Sequence, residues 1–138
     1  MINIDIESSF VYYNGTNETH SLNLNFKRFD DNTLKCDNQN LTLKLDKNSL
    51  TIKKEDDLSY TKTFSLNNET ISLLTLNNMT VHTKIHTTKF ITNNNVININ
   101  ATEYSMNDEV LAQININLNI KENKNGWTNN KLYHRGKT

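Results

Sequence analysis

Apolar and polar residues alternate along most of this chain. Ile2, Ile4 and Ile6 fall on one side, with Asn3, Asp5 and Glu7 on the other, the period-two pattern of a half-buried β-strand. The strand is expected to run on through a bulge at Ser8-Ser9 to Phe10-Val11-Tyr12-Tyr13. Asn14-Gly15 is then a hairpin signal. Leu22, Leu24 and Phe26 alternate with Asn23, Asn25 and Lys27 in a second strand, Asp30-Asp31-Asn32 turns the chain, and Thr33 to Cys36 makes a short third. Leu41 to Leu45, the turn Asp46-Lys47-Asn48, then Leu50 and Ile52 continue the pattern. After Glu55-Asp56-Asp57, the segment Tyr60 to Leu66 places Tyr60, Phe64 and Leu66 on one side. Ile71 to Leu76 is continuously apolar and reads as a strand buried on both faces. Met79, Val81, Thr83 and Ile85 open a long strand reaching Phe90-Ile91, and Asn93 to Asn95 form the next loop. Val96 to Tyr104 and Val110 to Ile120 are the last two strands.

Nine or ten short strands joined by tight polar turns, with no helical spacing sustained over three turns, predict an all-β fold. It is a single antiparallel meander, closed or nearly closed into a barrel. The barrel domain is expected over residues 1–120. Residues 121–138 lose the alternation, gain Lys121, Lys124, Lys131, Arg135 and Lys137, and hold the only Trp, Trp127. They read as a basic C-terminal extension.

Composition sharpens this picture. There are 26 asparagines, three glycines and no proline. Asparagine tolerates the left-handed backbone region, so it can serve the turns that glycine and proline usually serve. It is a poor strand former, and within strands it must lie on the wet face. The six Asn-x-Ser/Thr sequons match what 26 asparagines and 25 Ser and Thr residues give by chance, so glycosylation is not expected.

Fifteen basic and fifteen acidic side chains leave no net charge, which argues against nucleic acid as a partner. No run approaches the 18 apolar residues of a spanning helix. The start, Met1 to Glu7, lacks the basic and apolar regions of a signal peptide. With a single Cys, which can form no internal disulfide, the chain is expected to be cytoplasmic.

Some segments resemble a known family. Leu41-Thr42-Leu43-Lys44-Leu45, a turn, Leu50-Thr51-Ile52, the strand Thr61 to Leu66 and Met79-Thr80-Val81-His82-Thr83-Lys84-Ile85 are similar in order and spacing to the YwiB-like proteins of low-GC Gram-positive bacteria. Ile97 to Tyr104, a turn at Asn107-Asp108, and Ile114 to Ile120 followed by Lys121 resemble the closing hairpin of that family. The resemblance covers about residues 41–121, with a looser match from Ile2 to Phe26. Lys54-Glu55 stands where the family tends to carry Arg-Gly, and Leu76-Asn77-Asn78 where it has a Thr-Pro-Tyr-Gly-like turn. The resemblance implies a calycin-like, or lipocalin-like, barrel, in a superfamily whose better-known members hold small apolar ligands. It implies no reaction.

Candidate chemistry is sparse. His82 and His86 would share one zinc-binding face on a helix. On the strand that the neighbouring residues indicate, they lie about 13 Å apart, too far for one metal. His82, Lys84 and His86 instead make a cationic stripe, a candidate site for an anion, a nucleic-acid backbone or a protein partner. Cys36 has no histidine that the sequence places beside it, and a thiol nucleophile needs a positioned base. Phe10, Tyr12, Tyr13, Phe26, Tyr60, Phe64 and Tyr104 are candidates for lining an interior cavity. Lys62 shares the face of Tyr60 and Phe64, an expensive place for a charge without a partner. Either that strand is twisted or edge-like, or Lys62 meets an anionic ligand head. Trp127, Tyr133, His134 and Arg135 are candidate contacts to a membrane surface, nucleic acid or a protein.

The sequence therefore leads to a barrel that holds a small apolar or amphipathic ligand through Phe26, Tyr60, Lys62, Phe64 and Tyr104. The alternative is an interaction module that uses its outer strands and basic extension. No enzymatic activity, cofactor or metal is expected.

Overall fold

The computed structural model describes residues 1–121. Ten strands follow one another: β1 (Ile2–Tyr12), β2 (Asn17–Arg28), β3 (Thr33–Cys36), β4 (Leu41–Leu45), β5 (Ser49–Lys54), β6 (Leu58–Ser65), β7 (Glu69–Leu76), β8 (Met79–Asn93), β9 (Val96–Tyr104) and β10 (Val110–Lys121). One short 3-10 turn, Asp37–Gln39, joins β3 to β4. Each strand pairs antiparallel with the next, and β1 pairs with β10, so the meander closes into a barrel. β1 pairs without a register shift along both neighbours, so the chain has no bulge at Ser8-Ser9. Bulges lie instead near Leu111 in β10 and Thr88 in β8.

Asparagine does the turn work. Asn40, Asn67, Asn77, Asn78 and Asn94 all have positive φ, as do Asp108 and Gly15. Asn77 and Asn78, at φ 52° and 66°, form the two-residue loop between β7 and β8 and give the left-handed pair that a type I′ hairpin requires. On the outer face, strand asparagines bond one another across the ladder. Asn3 bonds Asn23 and Asn25, and Asn115 bonds Asn100.

The meander sends successive turns to opposite ends of the barrel. One end is packed solid. Ile4, Phe26, Leu34, Leu43, Leu50, Ile97 and Leu118 are fully buried there. The other end gathers the turns after β1, β3, β5, β7 and β9 and is open. Its inward positions include exposed apolar residues such as Leu22, Leu58, Leu76, Met79 and Val81. β7 is not buried on both faces. Ile71 and Leu73 are exposed on the outer side while Ser72 is buried inside. Its apolar run belongs to an ordinary strand with one wet face.

Two junctions are thin. β2 meets β3 through only two residue pairs, Lys27 with Lys35 and Arg28 with Leu34. β6 meets β7 only from Leu58 to Thr61. Beyond that the strands part, and the Thr70 hydroxyl bridges the gap by donating to the carbonyls of Thr63 on β6 and, at 3.4 Å, of Ile85 on β8.

Candidate functional site

The open half encloses a cavity of about 360 Å³, within the usual range for small-molecule sites. Period-two alternation builds its walls. Ile6, Ser8, Phe10 and Tyr12 come from β1, Glu18, His20 and Leu22 from β2, and Tyr60, Lys62 and Phe64 from β6. Leu41, Ile52, Leu74 and Ile116 complete the apolar lining. Two hollows on the outer surface, of about 500 and 370 Å³, are lined largely by asparagines and charged side chains.

Among the described residues, Lys62 is the one lysine or arginine in the wall. Its Nζ donates to Glu103 Oε1 at 3.4 Å, and the two side chains are 21% and 12% exposed. The Thr83 hydroxyl donates to the other oxygen of Glu103. The ammonium also lies 5.8 Å from the Phe10 ring centroid and 6.0 Å from that of Tyr60, within cation–π range. Glu103 is its sole hydrogen-bond acceptor among the described residues, so an ammonium with three donors keeps capacity facing the cavity.

The rim is polar on one side. Tyr12 donates its hydroxyl to Glu18 Oε1 at 3.0 Å, and His20 Nε2 lies 2.9 Å from the same oxygen. These bonds, that from His20 first, hold the Glu18 carboxyl below its ordinary pKa. Burial pushes the Tyr60 phenol up, and burial followed by Glu18 does the same for Tyr12. Both rings are therefore neutral donors at neutral pH.

The expected cavity residues divide. Tyr60, Lys62, Phe64, Phe10 and Tyr12 line it. Phe26 does not: it is fully buried in the packed half, closer to the other end of β2. Tyr104 does not either. It pairs with Lys84 on the outward face of β9, whereas Glu103 beside it faces in. Tyr13 lies past the end of β1 and is exposed. At Lys62, β6 pairs with β5 alone, through Ile52, because its pairing with β7 ends at Thr61, so the strand is edge-like there, and the ammonium has an internal carboxylate partner.

His82, Lys84 and His86 do share the outer face of β8, but they are not a bare cationic stripe. Lys84 bonds Asp108, which raises its pKa, and Glu69 stands opposite His86. Cys36 is buried and its thiol donates to Asn38 Oδ1 at 3.0 Å. Among the described residues, no three of His, Cys, Asp or Glu cluster closely enough to hold a metal. No helix there is long and apolar enough to cross a membrane. Trp127, Tyr133, His134 and Arg135 lie outside the described residues.

No protein-family model and no curated protein matches the chain. Among solved structures, the crystal structure of the YwiB protein from Bacillus subtilis matches over 92% of each chain, with a TM-score of 0.59 and 12% sequence identity. The chain has the YwiB fold. The likeness spans almost the whole molecule, further than the segments 41–121 that carry the resemblance in sequence. At 12% identity it speaks for the fold alone.

Proposed function

We propose that this protein is a binding module that holds a small amphipathic ligand in the open half of its barrel. The observation that carries this reading is the cavity itself, with aromatic and aliphatic walls and one partly satisfied ammonium, Lys62, pointing into it. An apolar body would cover Phe10, Tyr60, Ile52 and Leu74. An acceptor group, such as a carboxylate, would take the donors that Glu103 leaves open. The apolar rim of Leu22, Leu58 and Val81 suits entry from the open end.

A catalytic role has less support. Ser8 stands opposite His20 in register, but no hydrogen bond joins their side chains among the described residues, and His20 gives Nε2 to Glu18. A Ser–His pair needs the reverse arrangement, with the imidazole on the hydroxyl.

The test is titration with a fluorescent amphipathic carboxylate, alongside native mass spectrometry of freshly purified protein. Saturable binding that weakens at least about tenfold in Lys62→Met and Tyr60→Ala, with the fold intact by circular dichroism, supports the proposal. Wild-type protein that carries no bound species and takes up no such probe overturns it.

A further inference from the structure

The cavity wall carries a further charged group besides the Lys62–Glu103 pair. Glu18 stands at the mouth, its side chain 48% exposed. The Tyr12 hydroxyl and His20 Nε2 both meet its Oε1, and its Oε2 takes no hydrogen bond among the described residues. Those two partners hold its pKa below the ordinary value, so the group is a carboxylate at neutral pH. Deeper in, Lys62 gives one of its three donors to Glu103 and keeps the rest. The cavity thus offers an acceptor for a cation at its mouth and donors for an anion inside. Phe10 lies between them. Its ring centroid is 5.8 Å from Lys62 Nζ and 6.2 Å from the centroid of the His20 ring, so Lys62 and His20 stand no more than about 12 Å apart. The hydroxyls of Ser8 and Tyr60 belong to the same wall and have no hydrogen-bond partner among the described residues.

We infer that the occupant of this cavity is a short apolar peptide with both termini free, its carboxylate on Lys62 and its ammonium on Glu18. The inference rests on the binding-module reading and narrows it. Three features favour a peptide over a simple fatty acid. The first is charge. Lys62 and Glu103 offset one another, and with His20 neutral the Glu18 carboxylate leaves the wall net negative. A ligand that is only an anion would add a second negative charge to a largely apolar enclosure, a costly arrangement. A zwitterion adds none, and its ammonium answers Glu18. The second is length. Two or three extended residues, at about 3.3–3.6 Å each, cover the span from Lys62 to the Glu18–His20 pair once a hydrogen-bond length is taken off at either end. The third is the middle. A peptide amide taken out of water needs partners, and the Ser8 and Tyr60 hydroxyls supply them. Aliphatic side chains would then meet Ile52, Leu74 and Ile116.

Calorimetric titration of the full chain with leucyl-alanyl-leucine tests this, beside the N-acetylated and the C-amidated forms of the same tripeptide. The free form is expected to bind saturably. N-acetylation should weaken it at least about threefold, and C-amidation at least about tenfold. Glu18→Gln should lower the free form to the level of the N-acetylated one and leave the latter unchanged. Lys62→Met should likewise erase the difference between the free and amidated forms. Such coupling assigns each terminus to its partner. Equal weakening of all three forms in either variant would show a structural role and overturn the assignment. An N-acetylated form that binds as tightly as the free peptide overturns the inference, and so do differences that persist in both variants. If the fluorescent amphipathic carboxylate binds and no tripeptide does, the peptide falls and the binding module stands. If neither binds, both fall.

Discussion

Lys62 on β6 and Glu103 on β9 meet inside the barrel at 3.4 Å, although 41 residues separate them in the chain. The pair is mostly shielded, so its members are not equivalent under mutation. Glu103→Gln leaves an ammonium against aromatic walls without its counter-charge and is expected to cost about 1–2 kcal/mol, between the exposed and buried limits for broken ion pairs. Lys62→Met retains the apolar stem and allows Glu103 to keep its bond from Thr83, so it should cost less while removing the anion-directed donor. Urea unfolding of both variants checks the order, and equal losses would contradict it.

Thr87 is fully buried, and its hydroxyl has no hydrogen-bond partner among the described residues. A buried polar group without a partner is a net penalty. Thr87→Val keeps the shape and removes the hydroxyl, and should raise stability by about 1 kcal/mol. A lower denaturation midpoint would show that the hydroxyl is satisfied in solution.

The two halves of the barrel should respond differently to truncation. Leu43 is fully buried in the packed half, and Leu43→Ala should cost about 2–5 kcal/mol through lost contacts and a cavity. Leu74 lines the existing cavity, and Leu74→Ala only widens space that is already open. It should cost less than half as much while weakening any ligand that fills the site. Parallel thermal melts and binding titrations separate the two effects.

Asn78 has φ 66° in the β7–β8 turn. Asn78→Gly, which leaves the preferred Asn-Gly order for such a loop, should be neutral or slightly stabilising. Asn78→Val should cost about 1–2 kcal/mol, because a β-branched residue meets steric conflict in the left-handed region. If both variants melt together, the turn conformation in solution is different.

Asp5 and Glu18 have depressed pKa values, Asp5 chiefly through its bond with Lys121 and then with Asn23, and Glu18 through His20 and then Tyr12. A carboxyl held lower in the folded state contributes stability above its ordinary pKa and loses it as pH falls through the depressed folded value. Carboxyl NMR titration should place the Asp5 midpoint below 3.8 and that of Glu18 below 4.5. Lys121→Met should move Asp5 back upwards and leave Glu18 unchanged.

Much of this was legible in the sequence, because a period-two pattern writes the inward face directly. Ile2-Ile4-Ile6 and Ile114 to Ile120 state their own burial, and asparagine pairs announce turns. The site was half legible by the same rule. Lys62 betrayed itself as a charge on an apolar face. Glu103 gives the same signal, continuing the inward series Ile97, Ile99 and Ala101, but its place at the end of a strand beside a turn masks it. Phe26 and Tyr104 show what alternation leaves out. It cannot say how far along the barrel an inward residue lies, which decides between packed core and cavity for Phe26. Tyr104 has the opposite parity to its neighbour Glu103, and that parity, not its aromatic character, decides its face. The thin junction of β2 with β3 depended on β3 being four residues long against twelve, a mismatch visible in strand length but not in residue type.

The two junctions of β1 and β2 have a mechanical consequence. Ten residue pairs join β1 to β10, whose positions are most distant in the chain, while two pairs join β2 to β3, which follow one another directly. Every other junction is a local hairpin, so the large loop-closure entropy of the ring falls on the β1–β10 zipper alone. Formation of that zipper should therefore set the folding rate. Under pulling or thermal fluctuation the ring is welded where its ends meet and hinged at the seam between neighbours, so it opens first between β2 and β3 without releasing the β1–β10 pairing.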